Sequence, residues 1–407
     1  MIDDAFKFID LFCGIGGFHQ AMASLGGVCV YACDSDEQCR KVYHANYGIV
    51  PDSDITKVEP SFIPEHDVLC AGFPCQAFSK AGKRLGFSDP TKGTLFFDVM
   101  RIARHHRPKY MLLENVRNLA GHDGGNTWKV IHDSIVNAGY SVPAEPVIFS
   151  PHYLGIPQHR ERVFIMCVRK DLPPLPDFSF NPKDIPQCSI DSILLDDADI
   201  PNIEKYQLDT VTEDWIDIWG EFIRGLNGKL PGFPVWTNCL CPLEDNTLLR
   251  NPDSIPRWRL PIIPKNADLY LRNREFVDRW LVRARTNPLF FGAKSNLEWQ
   301  AGDIPNPNIW DCIMQIRPSG LRVKPGTFFP ALVAVTQTSI VGKRRRFLTP
   351  RECARLQSFP DSFQIPESDA VAYKQFGNSV NVEVVRLFAR FMLGDAEIRQ
   401  KYSKAEL

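Results

Sequence analysis

The chain predicts an α/β fold, a mostly parallel sheet with helices on both faces, joined by a smaller, irregular domain. Three observations carry this expectation. Short apolar runs alternate with helix-like segments over 1–170. A proline-rich stretch, LPPLPDFSFNPKDIP (172–186), ends that rhythm. Regular patterning returns at 347. With 407 residues the chain is long enough for two domains with sizeable cores.

The strands come first. FKFIDLF (6–12), VCVYACD (28–34), HDVLCAGF (66–73), KYMLLENV (109–116) and RVFIMCV (162–168) are nearly continuous apolar runs. Strands buried on both faces read this way. GGFHQAMASLG and TLFFDVMRIARHH lie between them as helices. Strand–helix–strand repetition implies parallel pairing, so a first domain is expected at 1–170. The segment 171–346 reads as a second domain split by charge. Counted along the chain, 171–249 holds 4 Lys/Arg against 15 Asp/Glu, and 250–346 holds 17 against 7. From 347 a helix start is visible: Thr349 as N-cap, Pro350 at the first helical position, and Glu352 three residues after the cap. The last helix carries Val380, Val384, Leu387, Phe388 and Phe391 at helical spacing and needs a partner surface. The segment 347–407 is therefore expected to return to the first domain.

Composition excludes several classes. The net charge of −1 gives no global basic field, which argues against a histone-like binder but not against a local basic groove. No run of about eighteen apolar residues announces a membrane span. The acidic start MIDDAFKFID lacks a signal-peptide pattern. The twelve cysteines form no CxxC pair, and Cys239-x-Cys241 is too little for a zinc site, so no metal is expected. Reduced thiols in a cytosolic protein are the ordinary reading.

One cysteine stands apart. Cys75, in CAGFPCQAFSKAG (70–82), follows Pro74 where a buried strand hands over to a loop. The strand ends of an open α/β sheet are where ligands bind. The first strand ends in a glycine loop, Gly14, Gly16 and Gly17, that permits close backbone approach to a ligand. His19 stands where a dinucleotide fingerprint wants another glycine. Asp34 follows the second strand, placed to take ribose hydroxyls, and Asp54 lies at a third loop. A nucleoside-containing cofactor without a required pyrophosphate fits this set. Glu114 ends the fourth strand among Leu112, Leu113 and Val116, where burial would raise its pKa and suit it to hold or give a proton. Taken singly, Cys75 reads as a core thiol and Glu114 as a cap or ion-pair partner. Together they make a nucleophile and an acid on one crevice. Arg160 and Arg162 alternate on a segment entering a strand and point the same way, suited to a phosphate or a base oxygen if they are not simple surface charge.

The order DLFCGIGG, GFPCQAFS, ENV, QHRERVFI, TPRECARLQSFPDSF, FGNSV resembles that of the DNA (cytosine-5)-methyltransferase family of bacterial restriction–modification systems. The resemblance spans 8–170 and 344–393, and leaves 171–343 where that family keeps its variable target-recognition domain. It implies the S-adenosylmethionine-dependent methyltransferase fold, S-adenosylmethionine as methyl donor, and double-stranded DNA as substrate. It implies Cys75 as the nucleophile on cytosine C6 and Glu114 at the ring nitrogen N3, with Arg160 and Arg162 steadying the base and its flanking phosphate. Phe12, Gly14, Gly16, Gly17, Asp34, Asp54, Ile55, Pro74, Leu95 and Asn378 would form the cofactor pocket. Ser35 departs from the family, where a Trp often follows the ribose-binding acid. The loop 79–94 would close over the substrate, and the target base would be flipped out of the duplex into a protein that holds DNA between two domains.

DNA-contact candidates are Ser79 and Lys83 in that loop, Arg272 and Arg274 with Arg279, Arg283 and Arg285 in the basic half, and Arg344 and Arg345 in the run KRRR (343–346). The run also reads as a solvated linker. A monomer, a cytoplasmic and nucleoid-associated location, and a cognate restriction endonuclease are further expectations of the resemblance. The competing readings are an RNA cytosine methyltransferase, a non-catalytic DNA-binding homologue, and a nicotinamide-dependent oxidoreductase. The intact cysteine, acid and glycines oppose the second, and His19 opposes the third.

Overall fold

The computed structural model describes residues 5–74, 95–250, 253, 255–333 and 338–403. The chain clusters into two compact units: 1–188 with 331–336 and 350–407, and 189–330 with 337–349. Among the described residues no helix is long and apolar enough to cross a membrane.

The first unit is built on a seven-stranded sheet. Its long strands are β1 (Lys7–Leu11), β2 (Val28–Cys33), β3 (Val68–Gly72) and β4 (Tyr110–Val116). Short strands β5 (Tyr140–Ser141), β6 (Val147–Phe149) and β7 (Gln158–His159) lead into β8 (Arg162–Arg169). The order is β2-β1-β3-β4-β8-β5, with β6 also on β8. β1 pairs in parallel with β2 and β3, and β3 with β4. β8 runs antiparallel to β4, β5 and β6. All five long runs of the sequence are strands; near-total burial explains the missing alternation in β1, β3, β4 and β8, while β2 at the sheet edge is only partly covered.

Helices cover both faces. α1 (Gly17–Ala23) follows β1, α2 (Glu37–Tyr47) follows β2, α3 (Leu95–His106) precedes β4, and α4 (Asn126–Asn137) follows it. Phe96, Val99 and Met100 of α3 and Ile131 and Ile135 of α4 pack with Ile9, Leu69, Met111 and Ile165. On the other face Phe388 stacks on Phe164, ring centroids 4.5 Å apart, and meets Phe149 at 5.5 Å. That face therefore needs the C-terminal segment. The segment 171–188 also clusters with this unit, because Phe178 stacks on Tyr402 at 5.3 Å and touches Phe388 and Phe391.

One buried charge site in this sheet has no role at the pocket. Asp10 on β1 is fully buried, and neither carboxylate oxygen meets a donor in hydrogen-bond geometry among the described residues. Burial pushes its pKa well up, although the His19 amide and the Tyr43 hydroxyl pull it partly back. His19 itself is a packing residue. Its ring stacks on Tyr47 at 3.8 Å and its Nδ1 lies 2.7 Å from the Tyr43 hydroxyl.

The second unit is more regular than its sequence texture suggests. It carries helices α5 (Thr210–Gly225), α6 (Ile263–Arg272) and α7 (Arg274–Ala284). Its strands are β9 (Val235–Trp236), β10 (Asn296–Trp299), β11 (Ile313–Arg317), β12 (Gly320–Lys324), then, past β13 (Phe329–Pro330), β14 (Ile340–Val341) and β15 (Arg346–Phe347). The sheet order is β15-β14-β11-β12-β10-β9. Trp215, Trp219, Phe222 and Trp280 fill its core with Leu297, Leu321 and Val323. Three further helices return in the first unit: α8 (Pro350–Leu356), α9 (Asp369–Asn378) and α10 (Val382–Met392), before a terminal α11 (Ala396–Tyr402).

Candidate active site

The site lies where β1, β3 and β4 end, at the same edge of the parallel core. Glu114 is the register partner of Gly72 across the β3–β4 pair. A Cβ at Gly72 would stand 3.6 Å from Glu114 Oε2, in ordinary contact with the carboxyl. Gly72 is three residues before Cys75. Cys75, Ser79 and Lys83 fall outside the described residues, as does the rest of 75–94. The neighbouring Asn115 is 2% exposed, and its amide donates to the Phe73 carbonyl at 2.8 Å while its oxygen accepts from Val116 N. The ENV stretch thus ties the end of β4 to the segment that leads into Pro74 and Cys75. Sequence reading missed this role for Asn115.

Burial raises the Glu114 pKa, and the charges of Arg162 and Arg160 draw it back. Arg162 Nε stands 3.2 Å from Glu114 Oε1, an ion pair with both side chains largely covered. Arg160 does something different. It is 3% exposed, and its guanidinium donates to the carbonyls of Leu332, Gly377 and Ser379 at 2.8, 2.8 and 2.9 Å. Two of these acceptors belong to the FGNSV stretch. The sequence places Arg160 at base or phosphate; in the structure its terminal nitrogens bond backbone carbonyls on both sides of Asn378. The two arginines alternate in sequence but face different partners, because Arg160 precedes the regular part of β8.

A pocket opens beside this pair. Phe12, Gly14, Gly17, Glu114, Gln375 and Asn378 are among its lining residues. Phe12 adopts φ 57, a left-handed backbone that costs a non-glycine residue roughly 1–2 kcal/mol. Gly16 and Gly17 are required by packing. A Cβ on Gly16 would fall inside the Tyr47 ring, and one on Gly17 would lie 2.6 Å from Val380 Cγ2. Asp34, at the end of β2, accepts from Gly14 N and from Asp36 N, each at 2.8 Å. Its pKa is raised by burial. So Asp34 also holds the glycine loop in place, a role invisible in the sequence. Gln375 was missed altogether. It is 3% exposed, lines the pocket, and neither its amide oxygen nor its nitrogen has a partner among the described residues. The position of Gln375 just before FGNSV was the only signal for it.

The remaining predicted cofactor residues are spread around this edge. Ile55 is buried against the α3 face. Asp54 caps a short turn by accepting from Thr56 N and pairs with Lys57 at 3.1 Å. Leu95 begins α3, and Pro74 is exposed. Ser35 is exposed and places no ring here; its carbonyl accepts from Arg40.

The DNA-contact candidates of the second unit are largely committed elsewhere. Arg272 pairs with Asp268 at 2.8 Å, and Arg283 pairs with Asp214. Arg344 lies 3.6 Å from Asp197, and Arg345 pairs with Glu213 at 2.9 Å while its guanidinium sits 4.2 Å over the Trp310 ring. Arg346 is fully buried and bonds Asp197 at 2.8 Å. The KRRR run is exposed at Lys343, Arg344 and Arg345, and its three arginines are ion-paired. It knits the acidic and basic halves of the unit together. Arg274 is exposed at the start of α7.

A comparison with known families decides the class. The model for C-5 cytosine-specific DNA methylase matches residues 6–223 and 275–393. The chain belongs to this family. It is a DNA (cytosine-5) methyltransferase. It is 34% identical to the Type II methyltransferase M.HhaI of Haemophilus parahaemolyticus over 94% of this chain and 93% of that protein. It is 37% identical to the Type II methyltransferase M.HpaII of Haemophilus parainfluenzae over 96% and 90%, and 34% identical to M.AluI of Cellulosimicrobium cellulans over 95% and 91%. Among solved structures, a DNA modification methyltransferase encoded within an E. coli prophage superposes with TM-score 0.55 at 20% identity, covering 97% of this chain and all of that one. A triple mutant of Spodoptera frugiperda DNMT2 superposes with TM-score 0.53 at 20% identity, over 95% and 99%. These two likenesses establish the fold.

A methyltransferase needs a methyl donor, and residues around this pocket leave polar and aromatic groups free to hold one. Asp34 has unused lone pairs beside the glycine loop. Phe12 offers an aromatic face, and Gln375 offers an amide whose buried atoms await partners.

Proposed function

We propose that the enzyme transfers a methyl group from S-adenosylmethionine to C5 of cytosine in duplex DNA, with Cys75 as covalent nucleophile. The observation that carries this reading is the buried Glu114 carboxyl paired to Arg162, opposite Gly72, on the strand edge that leads to Cys75. When bound, S-adenosylmethionine supplies an electrophilic methyl group held against the glycine loop. Every other part falls to the chain. The Cys75 thiolate adds to C6, and the displaced π electrons move toward C5 and N3. Glu114, whose pKa burial raises while Arg162 and Arg160 draw it back, gives or shares a proton at N3 and so stabilises that charge. C5, now enamine-like, takes the methyl group. Loss of the C5 proton and expulsion of the Cys75 sulfur restore the aromatic ring. Arg162 fixes the direction of the Glu114 carboxyl, and Asn115 fixes the chain between them. Because C5 and C6 lie inside the stack, the base is flipped into the site.

On this reading Phe12, Gly14, Gly16, Gly17, Asp34, Asp54, Ile55, Pro74, Leu95 and Asn378 serve the cofactor, and the second unit, 189–330 with 337–349, selects the target sequence. Restriction–modification, with a cognate endonuclease on the same site, is the proposed context. A monomer in the cytoplasm is the proposed working form. The family match and the named Type II relatives support the assignment. Transfer of labelled methyl from S-adenosylmethionine to unmethylated duplex DNA tests it, with Cys75→Ser beside wild type and transfer RNA as the competing acceptor. Label in DNA that vanishes in the variant is expected. Label only in RNA would replace the substrate, and label that survives Cys75→Ser would remove the covalent step.

A further inference from the structure

The sheet of the second unit has one face in the core; the opposite face is polar along β10 and β12 and apolar and buried at Ile313 and Val341. Leu297 and Trp299 of β10, Met314 of β11, and Leu321 and Val323 of β12 point into the core. The alternating residues point the other way. Register then sets Glu298, Arg322 and Gln315 in a single row across three adjacent strands, since Arg322 is the partner of both Glu298 and Gln315. Arg317 and Lys324 stand two residues from this row, on opposite sides of it, on the same face. The sequence shows no such cluster, because its members come from 298, 315, 317, 322 and 324.

Charge on this face is unbalanced. Arg322 is held by Glu298, Nη2 to Oε2 at 2.6 Å and Nε to Oε2 at 2.7 Å, and Ser319 also donates to that carboxylate at 2.9 Å. Arg317 and Lys324 make no ion pair among the described residues. Burial and the nearby Arg322 charge both disfavour their protonated forms, and Glu298 only partly compensates. Gln315 is 5% exposed, and its amide oxygen has no partner among the described residues. Three cations on one carboxylate, partly desolvated and with an acceptor left over, make a surface prepared for a polyanion that also carries donors. Elsewhere in the unit, Arg272, Arg283, Arg345 and Arg346 already have carboxylate partners.

We propose that the polar face of β10, β12 and β11 is a DNA-contact surface, in which Arg317 and Lys324 each neutralise a backbone phosphate and the Glu298–Arg322 pair holds the face rigid between them. The proposal rests on the reading of duplex DNA as substrate. It assigns phosphate contacts to residues other than the arginine-rich helices or the KRRR run.

The test is equilibrium binding of the full chain to a fluorescent duplex across a salt series. Each phosphate contact contributes about 0.9 to the slope of log affinity against log salt. The double variant Arg317→Ala/Lys324→Ala is expected to lower the slope by about 2, equally on cognate and unrelated duplexes, with methyl-donor binding in the absence of DNA unchanged. The control Arg272→Ala/Arg345→Ala is expected to keep the wild-type slope. If the alanine variant does not fold, Arg317→Gln/Lys324→Gln gives the same reading with the side-chain stems retained. A wild-type slope in the folded variant overturns the proposal. A wild-type protein that binds no duplex at all overturns the DNA reading instead, and this proposal with it.

Discussion

The two units use their arginines in opposite ways. In the first, Arg160 is buried, Arg162 is half-buried, and each is committed to fixed partners, three backbone carbonyls for one and the Glu114 carboxylate for the other. In the second, Arg272, Arg283, Arg322, Arg344, Arg345 and Arg346 close ion pairs within the unit, while Arg317 and Lys324 share a face with too few carboxylates. Arginine near a motif therefore says little until its partners are known. A guanidinium already satisfied by the fold is architecture, and one held beside an unmet charge is poised for a ligand.

The comparison can be broken at four points. The largest effect is expected at the acid. Glu114→Gln keeps the shape but cannot cycle a proton, so turnover should fall about 10²–10⁴-fold. DNA affinity should change little. Parallel losses in both would make Glu114 a binding group. Next is Arg160→Ala, which leaves three buried carbonyls without their donor. Urea unfolding should show a loss of about 3–5 kcal/mol. A stability within error of wild type would return Arg160 to the ligand-binding set.

Arg162→Ala tests the same pair through pH. Burial raises the Glu114 pKa and Arg162 lowers it. Activity that needs the protonated carboxyl is present below this pKa and lost as pH rises through it. Removing Arg162 lifts the pKa, so the alkaline limb of the kcat profile should move to higher pH. A limb that stays or moves down would mean the ionised carboxylate is the working form. The smallest effect is expected at Arg345→Ala. Its exposed ion pair with Glu213 and its contact with Trp310 should contribute under about 1 kcal/mol. Thermal melting is the measurement, and a loss of several kcal/mol would show that the KRRR run is a principal support of the unit.

What the sequence reveals depends on how local the signal is. The five strands of the first unit are legible because burial on both faces leaves unbroken apolar runs. Glu114 and the glycine loop are legible because each ends such a run. Gln375, Asn115 and the Asp34–Gly14 bond are not, since their partners are distant in the chain and only the fold brings them together. Arg160 and Arg162 mislead because strand alternation is applied to a residue outside the strand. In the second unit the strands are two to five residues long, too short to show a period against their connecting loops. Its polar row exists only through register, which no linear pattern encodes.

The proposal turns on the Cys75 thiol attacking a cytosine whose N3 faces Glu114. Duplex DNA carrying 5-fluorocytosine at the target position tests it most directly, because fluorine at C5 cannot leave as a proton and the adduct is trapped. With S-adenosylmethionine present, mass mapping of the stalled complex should place the covalent bond on Cys75. The Glu114→Gln variant should form the same adduct far more slowly. An adduct on another residue, or full methyl transfer to ordinary cytosine with no trapped species, would contradict the account.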